Sequence, residues 1–332
     1  MLTPRFPRRC MKQHWQWTNA PSTAPIKLQP PASIHRRMTM SLQAYPIRNV
    51  SDTAHWVAIY RAMESERPDA LFSDPLARRL GGKRGEAIVK ALPRGSVLSW
   101  AMTVRTVLLD EMVMRCIRNG VATVLNLAAG LDARPYRLDL PSSLRWLHVD
   151  MPDMIDYFRE HTRAATPRCS LELVTADLRD AEARKQLLAR AAEFGPVVVI
   201  SEGLLVYLSS EQVADLARDL HTMACAKWWL FDLASPQLLK FTPQRWNRIL
   251  LAGQAPFLFA PPEGTDFFLP HGWREAEFHS TWEASWRLQR TMSGAWLWKL
   301  LSRLQSPARR EVMRRMSGCV MLENIVNPSL TA

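Results

Sequence analysis

The sequence predicts a doubly wound α/β fold with a mostly parallel sheet, and two observations support this prediction. Between residues 121 and 234, short apolar segments of strand length alternate with longer segments of helical periodicity. Each connection is long enough to hold a helix, as parallel neighbouring strands require. No stretch reaches the ~20 consecutive apolar residues of a membrane-spanning helix, so no membrane span is expected.

Five segments read as successive strands: 121–128, 143–150, 171–177, 196–202 and 227–234. Helical patterns follow the second, third and fourth of them. Two further segments, 276–282 and 319–326, read as a closing strand pair, which predicts seven strands in all. An apolar insert at 237–262 interrupts the alternation after the fifth strand.

The N-terminal third divides into a tail and a helical region. Residues 1–39 carry seven Lys or Arg, six prolines and no acid, and we expect a disordered basic tail over 1–45. An organellar leader and an over-long reading frame are the alternatives. Residues 46–120 predict an N-terminal helical cap, with one helix starting near Ser51 and another over 97–118. The main domain is then 121–332.

Charge and cysteine usage limit the function classes. Of the formal net charge of +12, only +5 belongs to the chain after residue 39, so no nucleic-acid partner is expected. The five cysteines are scattered and form no C-x-x-C pair. This pattern indicates reduced thiols in the cytoplasm rather than disulfides, and no metal site is predicted.

Polar residues gather where the predicted strands end. Gly130 follows the first strand, and Asp150, Asp177, Glu202 and Asp232 end the next four. Because the carboxyl ends of parallel strands share one edge, these residues predict a single ligand-binding rim. Asp150 lies 20 residues after Gly130, the spacing at which a carboxylate can accept ribose hydroxyls. Helix capping is the alternative role for Asp150 and Asp177.

The turn itself limits the choice of cofactor. Residues 128–133 read AAGLDA, with one glycine where a dinucleotide site has three, and no G-K-[ST] sequence occurs. A nucleoside without phosphates is therefore favoured, and S-adenosylmethionine fits because its sulfonium and ammonium groups suit a carboxylate-rich rim. An NAD-dependent oxidoreductase is the alternative that the missing glycines oppose.

Several longer motifs resemble the leucine carboxyl methyltransferase family, in particular its bacterial branch of S-adenosylmethionine-dependent O-methyltransferases. They are NLAAGLDARPYRL, LRWLHVDMPDMIDYFRE, TADLRD, ISEGLLVYLSSEQV and VSDTAHWVAIYRAMESERPDALFSDPLARRLGG. The resemblance covers about residues 50 to 235. It implies a Rossmann-like class I methyltransferase with seven strands and S-adenosylmethionine as cofactor.

The resemblance also implies residue roles. At the nucleoside end, Asp150 would bind the ribose, while Asp177 and Leu178 would frame the adenine. At the methionine end, the family implies roles for Gly130, Glu202, Arg105 and Arg61. Gly130 would let the turn approach the cofactor, Glu202 would face the amino or sulfonium group, and Arg105 would hold the carboxylate. Arg61 matches a basic residue of the cap, and surface solvation is the alternative for both arginines.

The sequence departs from the family at Ala128, where glycine is usual. A Cβ is tolerated there only if the φ angle is negative. A catalytically degenerate cofactor-binding protein is therefore a further alternative.

The predicted activity is O-methylation of a small molecule or carboxyl group by in-line transfer. The sequence does not name the acceptor or the oligomeric state. Tyr207 and His271 are candidate bases by location alone. The basic run Lys299–Arg315 reads as a solvated helix face, with contact to an anionic partner or membrane surface as the alternative.

Overall fold

The structure is a computed structural model that describes residues 47–92, 99–223, 225–241 and 250–325. The predicted tail at 1–45 lies outside these ranges, as does the central part of the 237–262 insert. Among the described residues, no helix is both long and apolar enough to cross a bilayer. The boundaries of the tail, cap and main domain stay predictions.

The N-terminal region forms helices α1 (Val50–Ser65), α2 (Ala77–Ala91) and α3 (Ser99–Arg118). Helix α1 starts near Ser51 as predicted, and its cap is Asn49, whose side chain accepts the Asp52 N–H at 3.0 Å. Helices α1 and α2 approach closely at Gly85, where a Cβ would lie 2.5 Å from a backbone carbonyl oxygen. Glycine is required there for this contact.

The strand prediction is confirmed over the whole domain. The strands are β1 (Thr123–Leu127), β2 (Arg145–Asp150), β3 (Ser170–Thr175), β4 (Val197–Ser201), β5 (Ala226–Ala234), β6 (Trp273–Ser280) and β7 (Ser317–Asn324). The connecting helices are α4 (Arg134–Arg137), α5 (Pro152–Thr162), α6 (Ala181–Ala192), α7 (Ser210–Thr222), α8 (Pro236–Phe241), α9 (Thr281–Arg287), α10 (Ala295–Arg303) and α11 (Pro307–Arg314).

The seven strands form one sheet in the order β3-β2-β1-β4-β5-β7-β6. Strands β1 to β5 are parallel, and β7 pairs antiparallel with both β5 and β6. The order reverses between β1 and β4, so the crevice beyond the carboxyl ends of these two strands is where an open α/β sheet binds its ligand.

Alternate residues of the strands supply two apolar layers. On one face, Leu125 and Val199 belong to a core that includes residues of α6 and α7. On the other face, Val124 and Val198 belong to a core that includes residues of α3. Both faces are buried because helices cover both sides of a parallel sheet, which explains why the strands read as continuous apolar runs. Helix α3 therefore packs directly on the sheet.

Candidate functional site

The turn after β1 is held to β2 by three backbone atoms. The Ala129 N–H donates to the Val149 carbonyl at 2.9 Å, and the Gly130 N–H donates to Asp150 Oδ2 at 2.7 Å. The Gly130 carbonyl accepts from His148 Nε2 at 3.2 Å. The turn is thus a rigid floor at the switch point between β1 and β4, and Gly130 (φ 54°) has the left-handed backbone that glycine permits.

His148 supports this floor from below. Its ring is fully buried and stacks on Phe158 with the ring centroids 4.2 Å apart. Burial lowers the pKa of His148 to about 4. The imidazole is therefore neutral near pH 7, and its Nε2–H is the donor to Gly130.

The pH dependence of stability should report on this histidine. A group whose pKa is lower in the folded state contributes stability above its unfolded pKa of ~6.5 and loses it as the pH falls toward 4. We expect His148 to account for a loss of about 3 kcal/mol across that window. Urea denaturation of His148→Gln should show a shallower pH dependence than the wild type. His161→Gln, which leaves the turn intact, is the control, and equal slopes for His148→Gln and wild type would refute the assignment.

Asp150 ends β2 beside the turn. Its Oδ2 accepts from Gly130, and its Oδ1 accepts the Met151 N–H at 2.7 Å. Burial raises its pKa, while the two backbone N–H groups act in the opposite direction. The carboxylate is not the side-chain cap of α5, because the N-cap position is Met151. Each oxygen retains a lone pair for a further donor.

Asp177 and Leu178 follow β3. The Asp177 carboxylate is half-exposed and pairs with Arg179 at 2.7 Å, which lowers its pKa. Helix α6 is capped by Asp180 instead, so the capping role considered for Asp177 is not what the structure shows. The Leu178 carbonyl accepts from Arg184 Nη1 at 2.8 Å, and this bond fixes the loop against α6.

Glu202 follows β4 and lies between two arginines. Its Oε1 accepts from Arg105 Nε at 2.9 Å, and its Oε2 accepts from Arg134 Nη1 at 2.8 Å. Arg105 Nη1 also contacts Asp232 Oδ2 at 3.1 Å. Burial alone would raise the pKa of Glu202, but Arg134 and Arg105 bring it below its ordinary value.

Arg134 was not among the predicted site residues, although it is the most buried charge of this region. Its guanidinium is 2% exposed and bonds Asp110 at 2.6 Å, Asp132 at 2.7 Å and Glu202 at 2.8 Å. Burial opposes ionisation of Asp132, yet Arg134 and neighbouring arginines lower its pKa to about 2. The sequence signal was the D-x-R spacing directly behind the glycine turn.

These ionic contacts form a continuous group that we call the charge cluster. Arg137 extends it by bonding both oxygens of Asp110 at 2.6 and 2.7 Å. Contacts of 3.1 Å or less join three cations and four anions in this cluster, which therefore has one net negative charge. Its members are Arg105, Arg134, Arg137, Asp110, Asp132, Glu202 and Asp232.

Arg61 is buried rather than solvated, and it ties the cap to the turn. Its Nε contacts Asp74 Oδ2 at 2.8 Å, and its Nη2 donates to the Leu131 carbonyl at 2.5 Å. The bond to Leu131 makes α1 part of the support of the glycine turn. Surface solvation is thus excluded for Arg61, and also for Arg105, whose side chain is 13% exposed.

The two candidate bases lie at opposite edges of the sheet. Tyr207 ends a short 3-10 helix (Leu205–Tyr207) directly beyond β4, and burial raises its pKa. His271 precedes β6, whose first residues pair with the end of β7 and lie beside the start of β5. His271 is therefore at the amino edge, away from the predicted rim.

Ala128 has a φ angle of +48°, a left-handed backbone conformation that is unfavourable for alanine. The left-handed region costs an L-residue roughly 1–2 kcal/mol, partly offset because glycine has more freedom in the unfolded chain. We expect Ala128→Gly to stabilise the fold by about 1 kcal/mol in urea denaturation.

Ala129→Gly is the matched control for this substitution. Ala129 is not among the residues with positive φ. Glycine there relieves no strain and adds unfolded-state freedom, so we expect a loss of about 0.5–1 kcal/mol. A destabilising effect of Ala128→Gly equal to that of Ala129→Gly would contradict the strain at Ala128.

Comparison with solved structures supports the fold. The chain is similar to a DUF574-family protein from Streptomyces avermitilis with a TM-score of 0.51 and 14% identity, covering 81% of this chain and 96% of that one. It is also similar to a Thermobifida fusca protein named by inference as a methyltransferase, with a TM-score of 0.51 and 16% identity over 90% of this chain and 100% of the other. These likenesses confirm the Rossmann-like methyltransferase fold.

Comparison of sequences then gives the family. The leucine carboxyl methyltransferase model matches residues 54–221, about half of the chain. A Streptomyces coelicolor protein is 32% identical over 260 residues, covering 73% of this chain and 88% of the relative. A Parafrankia protein is 36% identical over 182 residues, which is 52% of this chain. Both are named by inference as S-adenosyl-L-methionine-dependent methyltransferases. The chain belongs to the leucine carboxyl methyltransferase family.

The family, the fold and S-adenosylmethionine as the family's cofactor agree with the sequence prediction. The match spans 58% of the Parafrankia protein and 65% of a similar Frankia alni protein. All the predicted site residues lie inside the family match, namely Arg61, Arg105, Gly130, Asp150, Asp177, Leu178 and Glu202. Asp232 and the whole β6–β7 region lie outside it.

Proposed function

We propose that the protein is an S-adenosylmethionine-dependent methyltransferase that acts on an oxygen atom of a small molecule or a carboxyl group. The observation that carries this proposal is the negative charge cluster beside a turn with one glycine. S-adenosylmethionine has a sulfonium, an ammonium and a carboxylate, hence one net positive charge. The pyrophosphate of a dinucleotide would instead meet carboxylates of like charge.

The nucleoside end of the cofactor fits the residues after β2 and β3. Both oxygens of Asp150 retain acceptor capacity toward the two ribose hydroxyls, because each is engaged by one backbone N–H. Asp177 offers an acceptor for an adenine amine at the rim, where Arg179 now shares its carboxylate. Leu178 packs against the core and is fixed through its carbonyl, so it can form one wall of the adenine position.

The methionine end fits the residues around β4 and β5. A Cβ at Gly203 would lie 3.5 Å from Arg105 Nη1, so glycine keeps the approach to this guanidinium open. Arg105 could bind the methionine carboxylate there, while Glu202 attracts the ammonium or sulfonium. Gly130 shapes the floor. Arg61 is committed to Asp74 and Leu131, so we assign it the positioning of this floor.

The bound cofactor would supply a methyl group on a sulfonium, whose departing sulfide is neutral. The protein then has to align the acceptor oxygen and exclude water. A carboxylate acceptor needs no general base near pH 7, since carboxyl groups are ionised well below that pH. The proposal therefore assigns no catalytic base, and Tyr207 stays a candidate by position.

An apolar cluster near the predicted rim supports an acceptor with hydrophobic character. Trp56, Ile88 and Leu250 are buried together, and Tyr207 and Phe257 pack against them. The Leu258 N–H donates to the Val206 carbonyl at 2.7 Å, which holds the described end of the 237–262 insert over the 3-10 helix. We therefore propose that an apolar wall and the charge cluster together would receive the acceptor.

Calorimetric titration of the full chain with S-adenosylhomocysteine and with NAD tests the cofactor. Saturable binding of S-adenosylhomocysteine without NAD binding supports the proposal, and preference for NAD refutes it. Transfer of a labelled methyl group into a cell extract then tests turnover. A base-labile product indicates an ester and a base-stable one an ether. Cofactor binding without any transfer would favour a catalytically degenerate protein, the alternative that the strained Ala128 supports.

A further inference from the structure

Helix α10 carries its apolar side chains outward, the reverse of a helix that packs on a core. Trp296, Leu300 and Leu304 follow one another at intervals of four residues, and Leu304 lies one position after the helix. Trp296 is 67% and Leu304 is 84% exposed. Leu297 and Leu301 are also exposed and extend the same outward arc. We call these five residues the apolar stripe.

Among the side chains of α10 that the structure describes, Ala295 is the buried one, while Trp298 and Lys299 are exposed like the apolar stripe. The Lys299 ammonium lies over the Trp286 ring at 4.2 Å from its centroid. This contact is a cation–π interaction that uses the polar residue to attach the helix. The orientation is therefore set by specific contacts, and the apolar stripe is left as a contiguous exposed surface.

Basic residues flank the apolar stripe along the chain. Residues 293–315 contain six Lys or Arg and one acid, Glu311. Arg314 pairs with Glu311, but Arg309 and Arg310 form no ion pair within the part of the chain that the structure describes. A contiguous Trp- and Leu-rich surface with flanking basic residues is the composition of helices that lie in the interface of anionic bilayers.

The stripe lies on the segment that leaves the sheet at the same edge as the candidate site. Residues 281–316 join the end of β6 to the start of β7, and Ser317 pairs with Ala234 at the end of β5. Arg290 in this segment forms a buried ion pair with Glu64 of α1 at 2.8 Å, which attaches it to the cap. The segment that carries the stripe therefore begins and ends at the edge with the predicted rim.

We propose that the apolar stripe and the basic residues that flank it dock this protein on an anionic membrane surface. Helix α10 has nine residues, about 13 Å in length, so it would lie in the plane of the interface. The N-terminal tail is a poor partner for the stripe because it carries seven Lys or Arg and no acid, the same sign of charge as the basic residues beside the stripe. A second copy would likewise bring the same basic residues together. The inference does not depend on methyl transfer.

Vesicle flotation of the full chain tests this proposal. We expect binding to vesicles of phosphatidylcholine with phosphatidylglycerol, and much weaker binding to phosphatidylcholine alone. Leu300→Gln combined with Leu301→Gln should weaken binding at least about tenfold, because each leucine contributes apolar area to the interface. Glutamine favours helix, so α10 should persist. Leu269→Gln is the matched control, since Leu269 is an exposed leucine next to the amino edge.

The basic N-terminal tail can also attract anionic vesicles through its charge. The comparison between variants therefore shows whether binding depends on α10. Docking through α10 is supported if the Leu300/Leu301 variant loses vesicle binding while Leu269→Gln retains it. Arg309→Gln with Arg310→Gln should also weaken binding to anionic vesicles. The proposal would be overturned if the Leu300/Leu301 variant bound vesicles as strongly as the wild-type protein. It would also be overturned if the wild-type protein did not bind anionic vesicles. If the wild-type protein forms a dimer and binds no vesicles, and the Leu300/Leu301 variant is a monomer, the stripe would instead be the contact surface for a second copy.

Discussion

Arg134→Met is expected to destabilise the fold by about 3–5 kcal/mol, the largest stability effect that we predict. The substitution approximately preserves volume but removes the shared partner of Asp110, Asp132 and Glu202. Three carboxylates would then be partly or fully buried without their common cation. Urea denaturation at neutral pH measures the effect.

A control at an exposed arginine distinguishes the loss of a buried cation from the loss of a positive charge alone. Arg218→Met, which removes an exposed partner of Asp215, is the control and should change stability by less than about 0.5 kcal/mol. The deficit of Arg134→Met should shrink at acidic pH, because protonation neutralises the carboxylates left behind. A cost below about 1 kcal/mol would show that the charge cluster is not a structural unit.

Asp150→Ala is expected to weaken S-adenosylhomocysteine binding by about 10- to 100-fold. The change removes the acceptor proposed for both ribose hydroxyls, and hydrogen bonds to a charged group contribute about 1.5–3 kcal/mol. Calorimetric titration measures the affinity. Asp153→Ala is the matched control because this exposed carboxylate lies in the first turn of α5, three residues after Asp150.

Asp150 also holds the Gly130 N–H, so its substitution has a structural component. Asp150→Asn retains one acceptor oxygen and should bind S-adenosylhomocysteine with intermediate affinity. Thermal unfolding of each variant separates loss of fold from loss of binding. If Asp150→Ala and Asp153→Ala both bind S-adenosylhomocysteine as tightly as the wild type, the ribose assignment of Asp150 is wrong. Cofactor binding at the site would still stand.

The strands were predictable because their signal is local. Strands β1 and β4 are short, largely apolar runs that are buried throughout, and such runs can be recognised without knowledge of their partners. Strand β3, at the edge of the sheet, is only partly buried. The acids at the carboxyl ends of the strands were predictable for the same reason. Parallel strands bring their ends to one edge, so Asp150 and Glu202 could be assigned to a common rim from sequence positions alone.

The partners of these residues were not predictable in the same way. Arg134 and Asp132 appear in the sequence as ordinary charges in a loop, and only the fold brings them against Glu202, some seventy residues later. The cap of α6 is Asp180 and not Asp177, a shift of three residues that depends on where the helix begins. For Arg61, the sequence left a cofactor contact and surface solvation open, and only the tertiary structure shows that its side chain is buried and donates to the Leu131 carbonyl.

By itself, the sequence determined the order of helices and strands, the edge of the sheet where the candidate site residues gather and the family to which the chain belongs. These properties follow from periodicity and from motifs that are contiguous along the chain. Only the tertiary structure decided which charges neutralise one another, that Ala128 takes a left-handed φ, and that α10 turns its leucines outward. Each of these depends on atoms distant in sequence, because burial and counterion contacts are set by packing.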